Sequence, residues 1–201
     1  MGNLLIKNIG LLATPLGTAA KSGAQQGAVQ FLYDAFVRVE DGIITEVGSG
    51  NPRAKAGETV VDAQGKLVTP GLVDAHTHLI FGGWRQNELG MKLHGKTYLE
   101  IQNAGGGIQS STNATRMATE EELTAKATLA LDEMMSFGTT TVEAKSGYGL
   151  ATEHELKALQ VIDNLNKRHP MDIVATFMGA TWCLRSTRLT VRNISAWSAR
   201  K

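Results

Sequence analysis

His76 and His78, one threonine apart in Asp74-Ala-His-Thr-His78, are the residues of this chain best spaced to do chemistry. Side chains alternate faces along a β-strand, so residues two apart share a face. Two imidazoles on one face at a strand end can hold a divalent cation and leave coordination positions open. A cation held that way acidifies bound water and polarises a carbonyl, which is the chemistry of hydrolysis. Two unrelated surface histidines would spell the same letters. The context favours the metal, because Thr69-Pro-Gly-Leu-Val-Asp74 delivers the pair to the end of an apolar strand after a turn.

The elements that must position such a pair fall into two regions. Up to about residue 68 the chain reads as short strands and turns. Leu4–Leu12 is one strand; Ala35–Val39 and Ile43–Val47 form a hairpin around Asp41-Gly42, a strong hairpin signal. Pro15–Gly27 and Pro52–Gly57 read as loops, and Thr59–Val61 as a further strand. From Thr69 the grammar becomes strand, helix, strand, helix, strand, the pattern of parallel βαβ units. Leu72–Leu79, Thr139–Ala144 and Ile173–Phe177 are the strands. Thr119-Glu-Glu-Glu122 and Thr152-Glu-His-Glu155 are capping boxes that open two helices. Gly138 stops the first helix and His169-Pro170 the second.

Composition narrows the partners. With 20 basic against 19 acidic residues the net charge is +1, which gives no electrostatic reason to propose nucleic acid or an anionic membrane. No apolar run approaches the roughly 20 residues of a bilayer span, and no secretory signal opens the chain. Cys183 is a lone cysteine, as suits a reducing, cytoplasmic compartment. Gly105-Gly-Gly107 lacks a following Gly-Lys-Ser/Thr and is not a phosphate loop; it reads as a flexible loop. Lys145 reads as structural, and His94, His154 and His169 as surface residues.

Val68-Thr-Pro-Gly-Leu-Val-Asp-Ala-His-Thr-His78 resembles the first barrel strand of the amidohydrolase superfamily. Four strings narrow the resemblance to the imidazolonepropionase family: Phe81-Gly-Gly-x-Arg85, Tyr98-Leu-Glu-Ile101, Gly105-Gly-Gly-Ile108 and Thr141-Val-Glu-Ala-Lys-Ser-Gly-Tyr-Gly149. It runs from about Leu4 to Ala180. The resemblance implies an α/β protein in which a small composite β-sandwich domain, residues 1–68 here, precedes a TIM-like (β/α)8 barrel beginning at residue 69. It implies hydrolysis of 4-imidazolone-5-propanoate to N-formimino-L-glutamate with one Zn²⁺ or Fe ion, and a homodimer. His76 and His78 match two metal ligands, Arg85 a clamp on the substrate carboxylate, and Tyr148 a substrate-contacting phenol. A guanidinium recognises a carboxylate bidentately, in keeping with the clamp. Another cyclic amidohydrolase or deaminase on the same scaffold, or a non-catalytic fragment, are the competing expectations.

After Ala180 the chain departs from the family, which continues with a substrate-binding His and then Val-Pro-Pro-Glu-Tyr. Here Thr181-Trp-Cys-Leu-Arg-Ser-Thr-Arg188 follows. Reading residues 181–192 back through the codon table one nucleotide out of frame can give His-Met-Val-Pro-Pro-Glu-Tyr. Residues 181–201 are therefore expected to be a non-native, frameshifted tail. The barrel is then incomplete: the third His ligand, the metal-binding Asp and the catalytic Glu implied by the resemblance are missing, so no catalytic base is assigned within this chain.

Overall fold

The computed structural model describes residues 2–17 and 19–178, and the expected tail lies outside them. The chain divides into two compact units, Met1–Pro70 and Gly71 onward.

The first unit is a five-stranded sheet of β1 (Leu4–Pro15), β2 (Val29–Glu40), β3 (Ile43–Ser49), β4 (Thr59–Asp62) and β5 (Leu67–Val68). Its path runs β3-β2-β1-β4, with β5 also pairing β1. β2 and β3 pair antiparallel with Glu40 opposite Ile43. Asp41 and Gly42 both take positive φ, 51° and 83°, the geometry of a two-residue type I′ turn whose twist matches that of the strands. Ile9, Leu12, Ala35 and Val37 form its buried cluster. Within the stretch read as a loop, Gly23–Gly27 forms a short 3-10 turn.

The second unit is built on a parallel sheet in the order β6 (Leu72–Thr77), β7 (Thr139–Lys145), β8 (Asp172–Thr176). Five helices join these strands: α1 (Asn87–Leu93), α2 (Tyr98–Asn103), α3 (Gly107–Met117), α4 (Glu120–Ser136) and α5 (Thr152–Arg168). α4 opens on its capping box, with Thr119 and Glu122 bonded reciprocally, and Gly138 follows with φ 92°. Leu123, Ala127 and Leu131 of α4 meet Val142 of β7 and Leu159 and Ile162 of α5 in the main core.

Three expectations change. α5 has no capping box: Ala151 is its N-cap, and no side chain caps it. Glu155 is turned back to accept the N–H of Leu150 at 2.9 Å. Residues 87–117, read without helices, hold three of them. Of the glycine loop, Gly105 and Gly106 do connect α2 to α3, while Gly107 already opens α3, its N–H accepted by the Glu88 carboxylate at 2.6 Å. His169 is not a surface residue. Its side chain is 5% exposed, beside Asp132 of α4 at 3.2 Å, and its other ring nitrogen accepts the Met171 N–H. Pro170 sets this conformation by forcing His169 to an extended ψ of 144°.

Candidate functional site

Parallel pairing brings the C-terminal ends of the three strands to one edge, since Thr77 pairs with Ala144 and Lys145 with Thr176. His76 lies on the last residues of β6 and His78 just beyond it. The pairing of β6 is irregular between Asp74 and Thr77, and the Asp74 carboxylate accepts the His76 N–H at 3.2 Å. The two imidazole centroids are 5.9 Å apart, edge to face. His76 is exposed and His78 half-buried. The Nδ1 atom of His78 is buried without a hydrogen-bond partner. Burial pushes the His78 pKa down, and the neighbouring charges of His76 and Lys145 push it the same way. At neutral pH this favours the uncharged imidazole, the form that can donate a lone pair.

Tyr148 stands in the loop after β7, its ring 5.2 Å from that of His78. The loop after β6 supplies the opposite wall. Phe81 meets Trp84 edge-on at 5.3 Å and Tyr148 at 6.0 Å. Gly82 is required here by close approach: a Cβ would sit 2.3 Å from the Ala114 carbonyl oxygen of α3. His78, Phe81, Trp84, Arg85, Ser111 and Tyr148 line one cavity of about 260 Å³. The nearest carboxylate to Arg85 is Glu88, at 4.0 Å, the outer limit of ion pairing. The cavity thus offers aromatic walls, a guanidinium, a phenol and a neutral imidazole, a set suited to a small planar ring bearing an anionic tail.

At the strand ends beneath the histidines, the Glu143 carboxylate accepts hydrogen bonds from Lys145 and, at 2.7 Å, from Thr176. The Lys145 and Thr176 bonds hold its pKa below the usual carboxylate range. The alternation of Glu143 and Lys145 was the only sequence signal for this pairing, and Thr176 could not be foreseen. Phe81 and Trp84 lie in the stretch 81–85, where only Arg85 carried an expected role, and Ser111 carried no signal at all. Among the described residues no group of three His, Cys, Asp or Glu comes together to hold a metal ion. No helix among them is long and apolar enough to cross a membrane.

The profile of the Amidohydrolase family matches residues 59–95. An imidazolonepropionase of Alkaliphilus metalliredigens is 50% identical over 185 residues, covering 90% of this chain and 44% of its own length. One of Brevibacillus brevis is 50% identical over 183 residues, covering 87% and 43%. By sequence, the chain is a relative of the imidazolonepropionases. It spans less than half the length of these curated imidazolonepropionases. Among solved structures, N-isopropylammelide isopropylaminohydrolase from Burkholderia multivorans aligns with a TM-score of 0.55 at 17% identity, over 100% of this chain and 43% of that one. That likeness is one of fold alone. Two of the strings that resemble imidazolonepropionases, 81–85 and 141–149, are far apart in sequence and meet at one cavity.

Proposed function

We propose that this chain carries the amino-terminal part of a metal-dependent hydrolase that opens the ring of 4-imidazolone-5-propanoate to N-formimino-L-glutamate in histidine degradation. The observation that carries this reading is the convergence of His78, Arg85 and Tyr148 on one small aromatic cavity. His76 and His78 would hold the metal. The buried, unpartnered Nδ1 of His78 fits that role, since such an atom costs free energy unless it finds a partner, and a metal requires the neutral ring. A bound zinc or iron ion would supply acidified water and polarise the ring carbonyl. Arg85 takes the propanoate carboxylate, and Tyr148 closes the wall beside His78 with its phenol free to bond the substrate ring. Water adds at the ring carbonyl, the adjoining C–N bond breaks, and the nitrogen takes up the proton.

In this reading the sheet of residues 1–68 is one part of a composite β-sandwich. β6, β7 and β8 begin a (β/α)8 barrel that residues 69–180 leave incomplete, a closed one taking roughly 250 residues. The further ligands and the general base lie past residue 180, and residues 181–201 are the frameshifted tail. The test joins residues 1–180 to the matching downstream part of the Alkaliphilus metalliredigens relative and measures metal content and ring opening. The chimera is expected to bind metal stoichiometrically and turn over, and the 201-residue chain to do neither. In the chimera Arg85→Ala raises KM chiefly, whereas His78→Ala loses metal and rate together. A His78→Ala chimera that keeps both would end the assignment.

A further inference from the structure

Lys126 belongs to α4, on the far side of the aromatic wall from the cavity. Its Nζ lies 3.3 Å from the centroid of Phe81 and 4.0 Å from that of Trp84. It also donates to the carbonyl oxygens of Phe81, at 3.1 Å, and Gly83, at 2.7 Å. One ammonium group therefore grips three of the four residues that precede Arg85. We infer that Lys126 is a positioning residue, setting from behind the loop of residues 81–85 and with it the aromatic wall and the guanidinium. The importance of that wall for substrate rests on the function proposed above; the grip itself does not.

Stability alone does not explain a lysine here. Burial pulls its pKa from 10.5 down to about 8, so seating the cation strips it of favourable hydration. A methionine of similar length would cover both rings without that penalty. What methionine cannot do is donate hydrogen bonds to two carbonyls, and those bonds fix where Phe81 and Gly83 sit. The loop has need of such a device: Gly83 has a left-handed φ of 67°, and its neighbour Gly82 has no side chain to pack. Behind the loop, on the side away from that cavity, Glu122 is the other charged residue lining the hollow that Lys126 borders, and its carboxylate is engaged by the Thr119 N–H in the capping box.

The test uses the full chain with Trp182 and Trp197 replaced by Phe, leaving Trp84 as the single indole. Hydrogen exchange of a peptide spanning residues 79–86 and Trp84 emission are compared in Lys126→Met and Lys126→Arg. In Lys126→Met the 79–86 segment is expected to exchange roughly ten-fold faster, with Trp84 emission changed in intensity as the ammonium leaves its ring and with β7 and α5 unchanged. Lys126→Arg, which keeps charge and donors, is expected to restore both signals. Unchanged exchange in Lys126→Met, acceleration of β7 and α5 along with the loop, or failure of Lys126→Arg to restore the signals would each overturn the inference. Zinc uptake by the chimera tests the proposed function separately, because Lys126 touches neither histidine.

Discussion

The loop after β6 and the loop after β7 both line the same cavity, the first with Arg85 among others and the second with Tyr148, yet they are fixed by different chemistry. The first is held by Lys126 on two ring faces and two carbonyls. The second is held by Arg116 of α3, whose guanidinium donates to the carbonyls of Gly149, at 2.8 Å, and Leu150, at 3.2 Å. Glu155, itself 1% exposed, accepts the Leu150 N–H, and Leu150 keeps a left-handed φ of 50°. Both loops press a glycine backbone against a helix. The lesson is that loops at strand ends become rigid by satisfying their own backbone groups from neighbouring helices. One loop uses a lysine ammonium, the other an arginine guanidinium.

The sharpest way to break the symmetry is to fill the two glycines. A Cβ on Gly82 would meet backbone atoms of α3 at 2.3, 2.4 and 2.6 Å, whereas one on Gly149 would meet His154 and Glu155 atoms at 2.7 to 2.8 Å. Gly82→Ala is expected to destabilise by about 3 kcal/mol and Gly149→Ala by less, within the usual overpacking range. Urea unfolding checks the order, and a reversed order would show that the first loop yields more easily than its contacts suggest.

Arg116→Ala comes next. It strips two carbonyls of their donor and should cost about 2 kcal/mol, with faster hydrogen exchange confined to residues 146–151. The helices that anchor the loops differ in their starts as well. Thr119→Ala removes a formed capping box and should cost about 1 kcal/mol. Thr152→Ala should change stability by less than about 0.5 kcal/mol, because Thr152 caps nothing. Equal losses at the two threonines would contradict the described start of α5.

The smallest effect is one of pH. Lys126 titrates near 8 when folded, against 10.5 for an unburied lysine. Between those values the unfolded chain binds more protons, so stability should rise slightly as pH increases through that window. Exposure and salt will dampen the rise. Lys126→Met should flatten it, and Arg116→Ala should leave it in place. A rise that survives Lys126→Met would assign the titration to another group.

Much was legible without coordinates wherever the cause is local. The Asp41-Gly42 turn needs two left-handed residues and announces them. Thr119 with Glu122, Gly138, and Pro170 after His169 each act within one helical turn, so the bounds of α4 and the end of α5 could be read directly. His76 and His78 stood out by their spacing, although β6 ends at Thr77 and only His76 lies on it. What the sequence left open depends on which of several possible partners a polar group meets once the elements pack. Thr152-Glu-His-Glu155 spells a capping box as well as Thr119 does, but Glu155 is drawn to Leu150 instead. Gly107 looks like part of a glycine loop, yet it opens α3 with its N–H on the Glu88 carboxylate. Lys126, on an ordinary amphipathic helix, shows nothing of the rings and carbonyls it holds. Periodicity and turn chemistry set the elements; which side chain satisfies which buried polar group is decided only when the elements pack, because those pairings are made across the core and not along the chain.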